Sequence, residues 1–160
     1  MAGDVVSVLA QLAVIEAEIV SPDTGRPIKA YSNIPLTIAA AQMPCFVNFP
    51  GNLISNEERS SDADGREFWE VRDYNLVLYH SPFGAGTNEE KAGLLAPYFE
   101  LVMAKFMSYP LLKGVGEIED STISSGTGTV TVSFLAQQYN GIRFTLRTTR
   151  RVRRRLSITD

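Results

Sequence analysis

The sequence predicts an α+β fold, an antiparallel sheet of about four or five strands with two helices packed on one face. Three observations predict it. Apolar residues recur at helical spacing in two separated stretches, near residues 5–19 and 95–109. Residues 68–80 and 130–134 have strand composition. Asn140-Gly141, set between alternating segments, is a hairpin signal. The chain of 160 residues fits a single domain over 1–160. With 44% hydrophobic and 21% charged residues, disorder along its whole length is excluded.

The first helix carries Val5, Leu9, Leu12, Ile15 and Ile19 on one stripe. Pro22 is expected to end it, because the residue before a proline disfavours helical geometry. The run Ser21-Pro22-Asp23-Thr24-Gly25-Arg26-Pro27 then reads as a surface loop. Residues 30–56 carry no formal charge, but Pro35, Pro44 and Pro50 interrupt them, so they do not read as a membrane span. No secretory leader is expected either, since Asp4 stands where such a leader would be basic. The chain reads as soluble.

Cys45 to Phe49 reads as a strand between Pro44 and Pro50-Gly51. The polar stretch after it, 52–66, reads as a mobile loop of about a dozen residues. Residues 67–80 form the strongest strand candidate. Phe68, Tyr74, Leu76 and Leu78 share one parity, and Trp69, Val71, Val77 and Tyr79 the other. A strand apolar on both faces is covered on both, by helix, loop or a second subunit. Either Val71 and Val77 or Leu76 and Leu78 are therefore expected to face a neighbouring subunit.

Thr87-Asn88-Glu89-Glu90 has the spacing of a capping box. Leu95, Phe99, Val102, Phe106 and Tyr109 continue helically to Pro110. Pro97 suggests a short capped turn over 88–94 followed by a main helix with the proline in its first turn. In the last third, Val130, Val132 and Phe134 alternate with polar residues, and a two-residue turn at Asn140-Gly141 would return the chain through Ile142, Phe144 and Leu146. That register mixes apolar and basic residues on one face, so either a bulge shifts it or the face meets another subunit.

Little in the chain suggests catalysis. Cys45 and His80 are the only cysteine and histidine, which excludes an internal disulfide and multi-cysteine or clustered-histidine metal sites. Gly84-Ala85-Gly86-Thr87 lacks the lysine and hydroxyl of a phosphate loop, and Glu89 and Glu90 would repel phosphate. His80 and Ser81 are expected to point to opposite faces of a strand. Asp62 and Asp64 read as solvated. No catalytic, cofactor-binding or metal residue is therefore assigned, the alternative being a small enzyme that uses His80 or Cys45.

Charge is the strongest chemical feature. Residues 141–160 hold seven arginines and one acid, a net +6, while 1–140 hold eight basic residues and seventeen acids, a net −9. The basic C-terminal segment, 147–160, is expected to act in assembly through Arg150, Arg151, Arg153, Arg154 and Arg155. In an extended strand Arg151, Arg153 and Arg155 lie on one side and Arg150 and Arg154 on the other. Their partners would be carboxylates of a neighbouring copy or the backbone of passing DNA.

The order of elements, an amphipathic helix, the strand at Cys45, the long strand at 68–80, a second helix ending at Tyr109-Pro110 and a terminal Asn140-Gly141 hairpin, resembles the tail terminator (tail completion) proteins of long-tailed bacteriophages. The resemblance implies a structural virion protein without reaction or cofactor. It would form a homohexameric ring in the tail-neck region, meeting the tail tube protein on one side and the head-tail connector or neck protein on the other. It would be found in the host cytoplasm during assembly. Another neck or head-tail joining protein is the nearest alternative.

Overall fold

The computed structural model describes residues 2–62, 65–84, 86–125 and 131–155. Helix α1 (Ala2–Glu16) buries Val8, Leu12 and Ile15, the stripe its sequence spacing dictates. It stops at Glu16, before Pro22 can act. The Glu18 N–H donates to the Ile15 carbonyl at 3.1 Å and the Ile19 N–H to that of Glu16 at 3.0 Å. These short-range bonds tighten the last turn and release the chain. Ile19 still reaches the core, and its carbonyl accepts from the Ile28 N–H as the chain doubles back into β1 (Lys29–Tyr31).

Three long strands dominate the rest: β2 (Cys45–Asp62), β3 (Gly65–Pro82) and β6 (Gln137–Arg155). Helix α2 (Asn88–Met107), β4 (Ile118–Ser125) and β5 (Thr131–Phe134) lie between β3 and β6 in sequence. The sheet order is β1-β2-β3-β6-β4, with β5 also pairing β6. The fold is α+β, as expected. The sheet is larger than expected and mixed, since β1 runs parallel to β2 while the other pairs are antiparallel.

Both helices pack on one face of the sheet. There Leu95, Tyr98, Val102 and Phe106 of α2 join the α1 residues over Phe46, Tyr74, Leu76, Leu78, Phe144 and Leu146. Helix α2 is continuous, contrary to the expected break. Thr87 caps it, accepting from the Glu90 N–H at 3.2 Å, and Pro97 sits inside. Gly93 and Pro97 are both exposed, so the carbonyl left without its helical donor belongs to a solvent-facing residue.

The opposite face carries a second cluster: Ile38, Cys45, Val47, Val77, Tyr79, Val132, Phe134 and Tyr139. The Tyr79 ring stands edge-on to Phe134 (5.8 Å) and Tyr139 (5.4 Å), and its hydroxyl donates to the Ser133 carbonyl at 3.0 Å. The chain's own 32–44 segment and β5 thus supply the second cover. Leu76, Val77 and Leu78 are 0–1% exposed. They are internal core, and the expectation that they face a neighbouring subunit is corrected.

The hairpin also differs from the expected one. The turn falls at Leu135-Ala136, with Phe134 opposite Gln137 and Leu135 at φ 55°. Asn140-Gly141 lies within β6, opposite Ser81 and Tyr79. A Cβ on Gly141 would sit 2.0 Å from the Leu78 carbonyl oxygen. The glycine serves close approach of two backbones rather than a turn.

Of residues 52–66, expected to form a loop, 52–62 instead belong to β2 and 65–66 to β3, with Asp62 opposite Gly65, and 63–64 lie outside the described residues. Bulges interrupt the ladder between Pro50 and Leu53, Leu53 and Ser55, and Glu58 and Ser60. Gly51 permits the first, since a Cβ there would lie 2.6 Å from the Asp73 carbonyl oxygen.

Candidate functional site

Beyond Tyr74 and Leu146 neither apolar cluster includes any residue of β2, β3 or β6. The three strands nevertheless continue through 51–62, 65–73 and 147–155. Strand β4 still pairs 147–150, so the three-stranded arm proper is the outer part, where 65–69 lie between the end of β2 and 151–155, about 16 Å long at ~3.3 Å per residue. Half-buried apolar side chains lie on both faces, Phe68 and Val152 on the helix side and Trp69 and Val71 on the other, while Leu53 and Ile54 of β2 are exposed. Val71, opposite Thr149 and Ser55, is the one apolar candidate that remains at a surface.

Cross-strand charge pairs hold these extensions. Arg147 grips Asp73 with two bonds, Nε to Oδ1 at 2.9 Å and Nη2 to Oδ2 at 3.2 Å. Arg150 is buried, and its Nη2 donates to Glu70 Oε1 at 3.1 Å, the oxygen that also accepts from Arg72 Nε at 3.3 Å. Burial pushes the Glu70 carboxyl up, but the Arg150 and Arg72 bonds and charges outweigh it and leave the group below its ordinary range. Arg151 reaches Glu119 at 2.9 Å and Glu67 at 3.5 Å from the opposite face. The Arg59 guanidinium lies 4.6 Å over the Trp69 ring.

The alternation read from sequence therefore holds on the backbone: Arg150 shares the face of Leu146, and Arg151 the face of Arg147. The expected partner needs correction for Arg150, which Glu70 of the same chain takes and which is too buried to meet another molecule. Arg151 also pairs within the chain, with Glu67 and Glu119, while its side chain stays about half exposed. Arg153 also interacts within the chain. Arg154 and Arg155 pair by backbone with Arg66 and Gly65, and their side chains lie outside the described residues. The sequence beyond 155 and Asp64 do as well.

A second polar group gathers at the other end of β3. A bulge at His80, between the Tyr79–Gly141 and Ser81–Asn140 pairs, overturns the expectation that His80 and Ser81 diverge. His80 Nδ1 lies 3.1 Å from Ser81 Oγ, and His80 Nε2 2.7 Å from Asp23 Oδ2. The Tyr98 hydroxyl donates to the same Asp23 oxygen at 2.6 Å and lies 2.7 Å from Ser21 Oγ. Hydrogen bonds from Tyr98 and then His80 hold the Asp23 carboxyl below its ordinary range. The order Asp-His-Ser is that of a proton relay, but Ser81 Oγ also accepts from Asn140 Nδ2 at 3.1 Å. The Tyr98 ring covers the imidazole edge-on at 5.1 Å. This arrangement ties the 21–27 turn to β3 and α2. Cys45 is buried and its thiol is pushed up to about 12 by desolvation, so it supplies no thiolate.

Among the described residues no three His, Cys, Asp or Glu side chains converge as metal ligands. No helix there is long and apolar enough to cross a membrane. The sequence reading missed a groove on the second face, rimmed by the exposed Ile34, Leu36 and Leu135 and by Arg143. It also missed the arm. No protein-family model and no curated protein matches this sequence.

Proposed function

We propose that the protein is a structural subunit of a long-tailed bacteriophage virion, a tail terminator that works as a ring of identical copies. The ring caps the tail tube, ends its polymerisation and offers its far side to the head-tail connector. One observation carries the reading: past the two apolar clusters the long strands run on with half-buried Phe68, Trp69, Val71 and Val152 on both faces and with Leu53 and Ile54 exposed. Apolar side chains left part-exposed on both faces of a sheet form a surface that association can bury. A neighbouring subunit is the natural cover, and the order of elements resembling tail terminators supports the same view. Another neck protein of the virion would share this architecture.

The experiment has two parts. The native mass of the purified chain is expected to be that of a closed oligomer, six copies by the resemblance. Added to polymerising tail tube protein, the chain is expected to bind tube ends and stop their growth. A strict monomer at all concentrations that leaves tube length unchanged overturns the proposal.

A further inference from the structure

The arm has two open edges of opposite charge. On β2 the partner strand β1 covers Cys45, Phe46 and Val47, so among the described residues nothing pairs with the outer edge from Leu53 to Asp62. That stretch carries Glu57, Glu58 and Asp62 against a single Arg59. On β6 the partner β4 stops at Arg150, so the outer edge over 151–155 is likewise without a paired strand among the described residues. Residues 151–155 carry four arginines and no acid. The two edges lie on either side of β3, about 10 Å apart. At 0.1 M salt this is close to one Debye length, so each edge presents its own sign to an approaching molecule.

Charged residues on a sheet edge ordinarily discourage pairing. They do so when two like edges meet. Here the signs are complementary between the edges, which disfavours acidic-to-acidic and basic-to-basic contact and favours acidic-to-basic. Both β2 and β6 run antiparallel to β3, so they run in the same direction as each other. Copies related by a rotation can then present the β6 edge of one to the β2 edge of the next, every arm pointing the same way. Such a contact joins two different patches and closes into a ring if the rotation closes.

We infer that the β6 edge of one arm, at residues 151–155, pairs with the β2 edge of the next copy's arm, near 53–62, as the head-to-tail contact of the assembly. This inference rests on the ring reading above. It names a second copy of this chain as the occupant and strand pairing guided by charge as the chemistry.

The test uses full-length chain and two charge-reversed variants. One is Glu57→Lys/Glu58→Lys, with both edges basic; the other is Arg154→Glu/Arg155→Glu, which turns the β6 edge toward acidic. Sedimentation at low salt is expected to show each variant alone needing at least tenfold more protein than the parent to assemble. Their equimolar mixture is expected to assemble near the parent's concentration with equal amounts of both. If the parent assembles and both variants assemble like it, or the mixture stays apart, edge pairing is overturned while the ring survives. A parent that is monomeric throughout overturns the ring reading with it. Loss of DNA binding by the arginine variant, with assembly unchanged, also overturns edge pairing in favour of a polyanion contact. Should a variant misfold, hydrogen exchange on the parent decides: amides of 53–61 gain at least tenfold protection on assembly, or the inference fails.

Discussion

Asn48 Nδ2 donates to Glu16 Oε1 in the interior of the molecule, and Glu16 Oε2 and the Asn48 amide oxygen Oδ1 have no partner among the described residues. The pair links the last turn of α1 to β2. A single proton resolves both vacancies, because a protonated Glu16 can donate to the Asn48 carbonyl. Desolvation drives the chemistry the same way, raising the Glu16 carboxyl well above 4.5 against a smaller opposing effect of Asn48.

Glu16→Gln is therefore expected to stabilise the protein at neutral pH. A glutamine amide supplies the missing donor without ionising, and a buried unmet acceptor costs about 1–3 kcal/mol. Because the folded pKa is raised, the parent's stability from this group is complete below the ordinary glutamate value of 4.5 and falls as pH rises toward the folded pKa. Urea unfolding at pH 5 and pH 8 checks it. The variant's advantage should grow with pH, and an equal advantage at both values refutes the account.

Glu70 behaves with the opposite sign. Its folded pKa is depressed, so its contribution is present above the unfolded value and is lost as pH falls through the folded one. Removing its buried partner by Arg150→Ala is expected to cost about 3 kcal/mol, the scale for breaking a buried pair. A cost under about 1 kcal/mol in a denaturant titration would mean that Arg72 alone satisfies the carboxylate.

Gly141→Ala is expected to cost about 3 kcal/mol or more, since the added methyl meets the Leu78 carbonyl and the Val132 side chain at once. Thermal unfolding with near-ultraviolet circular dichroism reads the loss. A near-neutral effect would show that β3 and β6 separate readily at this point.

Val77→Asp is expected to unfold the chain rather than yield a folded subunit unable to assemble. A carboxylate there would be buried among Cys45, Val47 and Tyr79 without a counter-ion. Native circular dichroism from this variant would return Val77 to the list of surface residues.

The parts of the fold that were legible are those whose chemistry is local. The stripe of α1, the Thr87 cap and the two-sided strand at Leu76, Val77 and Leu78 follow from spacing alone. What covers that strand does not, because Ile38, Phe134 and Tyr139 come from distant segments. The arm escaped for another reason. Residues 55–62 are polar throughout and three bulges interrupt the ladder near them, so the period-2 signal of a half-buried strand is absent. Asn140-Gly141 misled because a local turn preference yielded to tertiary pairing. In the candidate site, the alternation of Arg150 and Arg151 could be read from spacing, but their carboxylates Glu70, Glu67 and Glu119 could not.

The central ladder joins late chain to early chain. Glu70 and Arg150 meet across 80 residues, and Asp73 and Arg147 across 74. Pairings of such sequence separation close slowly, since chain entropy is lost before contacts repay it. During synthesis the β2–β3 hairpin emerges long before its third strand, and the arm cannot be completed until residue 155 has left the ribosome. A truncated product thus lacks the last strand of the surface by which copies would recognise one another, so only finished chains would be admitted to an assembly.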